Sequence, residues 1–111
     1  MSQITIDDLK AVDIRVGTVR AAQYHDAARD PALVLEIDFG TLGIRTSSAQ
    51  LAALYEPASL VGRQVMAVVN LPPRRVAGIR SEVLVLAALC PEAGTVLMQP
   101  ERPVADGSPI A

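Results

Sequence analysis

Aromatic residues are nearly missing from these 111 residues: there is no tryptophan, and Phe39, Tyr24 and Tyr55 are the only others. Proteins that hold single-stranded nucleic acid stack successive bases on aromatic faces. The composition points away from that mode, so the expectation for any RNA bound here is recognition of folded shape and backbone. Cysteine and histidine occur once each, as Cys90 and His25. One cysteine cannot close an internal disulfide, and one cysteine with one histidine cannot assemble a zinc site. The expectation is a fold with no metal and no cofactor in a reducing cytoplasm, with Cys90 serving as a small buried apolar group.

Long apolar runs are absent too. None approaches the ~20 residues that span a bilayer, and the start, MSQITIDDLKAVD, lacks the basic and apolar regions of a signal peptide. No glycine-rich phosphate cradle occurs. Asp7, Asp8, Asp26 and Asp30 fall in expected caps or loops, and His25 in an expected exposed loop with no nucleophile nearby. These gaps point away from an enzyme and from membrane insertion.

What the chain does have is apolar bulk. Half of it is hydrophobic and only 20% is charged. The length fits a single domain spanning 1–111, and in a small domain such a surplus points to an interface, most simply a homodimer. The net charge of −2 argues against indiscriminate nucleic-acid binding, but it is unevenly spread. Residues 1–56 carry five basic and eight acidic side chains; residues 82–111 carry one and four. Residues 57–81 hold Arg63, Arg74, Arg75 and Arg80 and no acid at all. A local positive field can attract an anion even on an acidic protein.

Along the chain, Thr5 followed by Asp7 and Asp8 predicts a short capped helix. A strand follows over 13–24, where Ile14 and Val16 are out of phase with Val19, as a β-bulge at Gly17 would make them. Leu33, Leu35, Ile37 and Phe39 alternate with Val34, Glu36 and Asp38, which predicts a half-buried strand. A turn at 39–43 leads to a third strand over 44–48. Residues 49–54 are helix-prone, and 57–62 make a helical turn stopped by glycine. A fourth strand at 64–69 and a fifth at 81–89 flank Asn70-Leu71-Pro72-Pro73-Arg74-Arg75-Val76-Ala77-Gly78-Ile79-Arg80. Its prolines cannot donate to a central ladder, so the chain must leave the sheet here and return. A last strand over 95–99 precedes a proline-rich tail expected to lie extended on a surface. The order predicts an all-β fold, a five-stranded OB-type barrel with short helices and a C-terminal addition.

Asp13-Ile14-Arg15-Val16-Gly17, Ser47-Ser48 and the run from Asn70 to Ser81 resemble the tRNA-binding-domain family, and SSAQL at 47–51, VVNLPPRR at 68–75 and SEVLVLAA at 81–88 resemble its bacterial CsaA group. The resemblance spans about residues 3–110. It implies a non-catalytic OB-fold homodimer whose basic loop region binds structured tRNA, with chaperone-like binding of unfolded or export-precursor polypeptides in the CsaA group. It also implies that residues 93–110 help build the dimer.

The candidate RNA-binding residues are therefore Arg74, Arg75 and Arg80, joined by Arg15, Arg45, Asn70 and Ser81. Arginines in a loop either contact phosphate or keep the surface solvated. Arg15 either lines a binding face or pairs with Asp13; Arg45 sits on the third strand, across which OB ligands pass. Asn70 either bonds a base or ribose or ends its strand on local backbone; Ser81 touches RNA or only caps the loop. With one lysine and an acidic balance, composition places polypeptide binding first and tRNA binding as the alternative.

Overall fold

The alternation at 33–39 sets the core. A computed structural model describes all of residues 1–111, and in it Leu33, Leu35, Ile37 and Phe39 are fully buried, as their period-two spacing predicts. The first three lie on β2 (Leu33–Asp38), which pairs antiparallel with β1 (Ile14–Tyr24) on one side and β3 (Ile44–Ala49) on the other. β4 (Gln64–Val68) pairs with the opposite edge of β1, and β7 (Leu84–Val85) with β4. The resulting five-stranded antiparallel sheet, β3-β2-β1-β4-β7, curls until its outer strands meet. There the Glu82 N–H donates to the Thr46 carbonyl, and the Ser47 hydroxyl donates to the Val83 carbonyl at 3.0 Å. Val19, Leu51, Leu60, Val65, Val83, Val85 and Leu97 fill the interior with the β2 residues. This is the OB-like barrel the element order predicts.

The predicted helix at the start is α1 (Ile6–Lys10). The Thr5 hydroxyl accepts the Asp8 N–H at 3.1 Å and the Asp8 carboxylate accepts the Thr5 N–H at 3.0 Å, a reciprocal cap. A second short helix, α2 (Pro57–Leu60), drops Leu60 into the core. No helix is long and apolar enough to cross a membrane.

Several expectations are corrected. No bulge occurs at Gly17: β1 keeps unbroken register with β4 from Ile14 to Thr18, and the register shift lies at Arg20, against β2. Val16 and Val19 are out of phase because both faces of β1 are covered. Val19 points into the core, whereas Val16 lies outside it, beside the tail. Glycine stands at 17 because a β-carbon there would come within 2.6 Å of Ile37 Cγ2 and 2.8 Å of the Phe39 ring. Residues 49–54 form no helix. β3 runs on to Ala49, and one turn follows in which Leu54 and Tyr55 both donate to the Leu51 carbonyl. Pro57 holds Glu56 extended, so there is no room for a second turn.

The expected fifth strand breaks into three pieces because its backbone changes partner. β6 (Ile79–Ser81) pairs with β5 (Arg74–Val76), β7 with β4, and β8 (Ala87–Cys90) with β9 (Gly94–Leu97). Between them, Glu82 donates to Thr46 and Leu86 to Met66. Cys90 is half-buried rather than buried, its thiol donating to Glu92 at 3.3 Å.

The tail is extended, as expected. Gly107 donates to the Val16 carbonyl, Val16 to Ser108, and Ile110 to Ile14, so residues 107–110 run along the edge of β1 where β2 has ended. Asp106 accepts the Thr18 hydroxyl at 2.6 Å, and both amide atoms of Gln64 bond the Val104 backbone.

Candidate nucleic-acid interface

Residues 70–81 leave the barrel, but as a hairpin rather than a loop. Beyond the prolines, β5 and β6 pair as Arg74 with Ser81, Arg75 with Arg80, and Val76 with Ile79. Ala77 and Gly78 close the turn at φ +45° and +88°. A two-residue turn of this kind matches the twist of its strands, and only its glycine adopts it without strain.

Side chains alternate across a strand. Ser81 is buried and Val76 and Ile79 are half-buried, so that face of the hairpin lies on the barrel. Arg75 and Arg80 therefore project together from the opposite face, directly across from each other. Like charges so placed repel, which costs stability unless an anion sits between them. Their own bonds are weak: Arg75 donates to Gly78 within the hairpin at 3.2 Å, and exposed Arg80 reaches Glu82 at 3.4 Å. Arg74 is exposed and makes no hydrogen bond. Arg75 and Arg80 are thus paired and largely free on the outer face, while Arg74, paired with Ser81, belongs to the other face beside the barrel.

The other candidates are engaged elsewhere. Arg15 donates to Asp13 at 2.6 Å and to the Gly107 carbonyl at 3.0 Å; that carboxylate bond holds its guanidinium further into the charged form. Half-buried Arg45 donates to the Leu42 carbonyl at 3.2 Å. Asn70 uses both ends of its amide, accepting the Asp13 N–H at 2.9 Å and donating to Ala11 at 2.8 Å. It pins the junction of α1 and β1 to the end of β4. The Ser81 hydroxyl accepts the Ser48 N–H at 3.0 Å. Arg63, from the same basic stretch, lies over the Tyr55 ring at 5.6 Å.

Beside the hairpin opens a cleft of about 390 Å³. Leu71, Pro72, Pro73, Val83 and Leu84 give it apolar walls and Arg74 stands at its rim. A second hollow of about 460 Å³ shares Ser48, Arg74 and Leu84 with it and leads on toward Leu89. Sequence reading missed this surface, since prolines there read only as breakers. It also missed His25, which is buried rather than exposed: its ring lies between Ser48 and Ala77. For the hairpin the signal available was Val76-Ala77-Gly78-Ile79, apolar residues around a glycine turn, which spells two short strands needing something to pack on.

Comparison with known proteins now bears on this arrangement. The family described as "Putative tRNA binding domain" matches residues 14–109. The chain belongs to that family. This tRNA-binding-domain protein is of the CsaA type: it is 45% identical to the chaperone CsaA of Bacillus anthracis, with a TM-score of 0.94 over 99% of this chain and 100% of that one. The CsaA chaperone protein of Picrophilus torridus gives 38% identity and a TM-score of 0.92 over 98% and 100%. The methionine–tRNA ligase of Acidithiobacillus ferrooxidans is 44% identical over 98 residues, which are 88% of this chain but 14% of the ligase. The tRNA-binding-domain chain thus spans about a seventh of the ligases it matches.

Proposed function

We propose that this protein is a non-catalytic, cytoplasmic tRNA-binding protein that grips folded tRNA through the arginine hairpin. One observation carries the reading: Arg75 and Arg80 face each other across β5 and β6 on the exposed side with no strong acidic partner, and Arg74 is exposed at the base of the same hairpin. Such a cluster matches a phosphate backbone, and the scarcity of aromatics suits recognition of shape over bases. Titrating bulk tRNA against the wild type and Arg74→Ala/Arg75→Ala tests it. A large loss of affinity is the expected result, and identical curves would remove the hairpin from the function.

The apolar cleft favours a second reading, capture of unfolded or export-precursor polypeptide, in keeping with the full-length likeness to CsaA chaperones. Leu84→Asp should weaken binding of an unfolded precursor and leave tRNA binding intact; unchanged precursor binding would count against the cleft. Both readings are framed for a homodimer. Its support is exposed apolar surface: α1 buries no residue although it carries Ile6 and Leu9, and Leu89 on β8 is 83% exposed. Sedimentation of a monomer at micromolar concentration would dispose of that assembly.

A further inference from the structure

His25 follows directly on β1 and is only 7% exposed. Its Nε2 lies 3.3 Å from the Ala77 carbonyl at the hairpin tip and its Nδ1 lies 2.7 Å from the Ser48 hydroxyl. A carbonyl oxygen can only accept, so Nε2 must carry a proton; in the neutral ring Nδ1 then accepts from the hydroxyl. The Ser48 backbone N–H in turn donates to Ser81, at the other end of β6. One histidine–serine pair on the barrel therefore holds the hairpin at both its turn and its base. Otherwise, the only hydrogen bond leaving residues 71–81 is the long Arg80–Glu82 bond to the adjoining residue. The tip also needs holding, because Ala77 is the one non-glycine residue in the left-handed region.

We propose that His25 is a positioning residue that latches the hairpin tip to β3 and thereby aims Arg75 and Arg80 outward together. It does not touch RNA itself; its carbonyl partner faces the barrel side of the hairpin. The proposal deepens the tRNA reading and rests on it. The barrel core contains neither His25 nor any residue of β5 and β6. Releasing the latch should therefore free the hairpin while the barrel stays folded.

Two substitutions separate the ring's two bonds. The amide of glutamine reaches the place of Nε2, whereas that of asparagine reaches only the place of Nδ1. The measurements are amide hydrogen exchange across residues 75–81, affinity for bulk tRNA, and Tm. His25→Asn should speed exchange in the hairpin and weaken tRNA binding by about tenfold each, as the loss of one hydrogen bond allows. His25→Gln should stay near wild type in both. In the Arg75→Gln/Arg80→Gln background, His25→Asn should no longer change tRNA affinity, since the two side chains that the latch aims are gone. If His25→Asn fails to fold, Ser48→Ala removes the hydroxyl from the same latch and is read in the same way. Unchanged exchange in the hairpin of these variants would overturn the latch. A tRNA loss that persists without the two arginines would overturn the aiming role. A wild type that binds no tRNA refutes the RNA reading and the aiming role with it, while hairpin exchange still decides whether the latch exists.

Discussion

Replacing both Arg75 and Arg80 by glutamine should loosen tRNA binding and leave the fold as stable as before or more so. The two arginines are cross-strand partners, so each raises the energy of the other in the free protein. Removing both relieves that repulsion. It also removes the Arg80–Glu82 ion pair, which is exposed and 3.4 Å long, the kind that contributes little. Tm should hold or rise by about 1–4 °C. Binding moves the other way. The Arg74 and Arg75 side chains make no bond to the barrel, and Arg80 makes only its long, exposed one to Glu82, so these are the candidates free to take phosphate; three phosphate contacts imply a log–log salt slope of about −2.7. Affinity for tRNA should then fall about 40-fold between about 50 and 200 mM KCl, against about 3.5-fold for the double variant with one phosphate contact left. Fluorescence anisotropy at several salt concentrations reads the slopes, and calorimetry reads Tm. Parallel salt slopes would refute the phosphate assignment. A marked drop in Tm would show that the pair serves the fold instead.

Other outcomes follow from the packing. Gly17→Ala forces a β-carbon against Ile37 and Phe39 and should destabilise by about 1–3 kcal/mol, visible as a lower urea midpoint. Gly107→Ala combines a φ of +87° with a β-carbon 2.5 Å from the Phe39 carbonyl oxygen, so the tail should become the first site of limited proteolysis. Asp38 is held below the ordinary carboxylate range by the Gly40 N–H first and Arg20 second. A depressed folded-state pKa gives stability that is present above the unfolded value, near about 4, and lost as pH falls below it. Between about pH 5 and 3, Asp38→Asn should therefore lose less stability than the wild type, as urea midpoints at each pH will show.

The barrel was legible in the sequence where burial is one-sided. Residues 33–39 alternate cleanly because one face meets the core, and Thr5 with Asp8 announces α1 locally. Legibility failed where partners change or lie far off. Val16 and Val19 imitate a bulge because β1 is buried on both faces, with Val19 in the core and Val16 on the other side of the strand. The run at 81–89 reads as one strand, yet its hydrogen bonds go to β5, Thr46, β4, Met66 and β9 in turn. For the site, Arg74, Arg75 and Arg80 stood out through the absence of acid around them. Asn70 and Ser81 share their motif but bond backbone, and motif membership alone does not distinguish the two roles. His25 could not be seen at all, because its partners, Ser48 and Ala77, are 23 and 52 residues distant.

The run of residues 107–110 beside β1 bears on how the protein is made. Until those residues leave the ribosome, the backbone of Ile14 and Val16 offers an unpaired edge to any passing strand. A nascent chain stalled short of Gly107 would hold most of its barrel and still be prone to pair with its neighbours. Self-association during synthesis is thus set by when residues 107–110 appear, and native assembly has to wait for them.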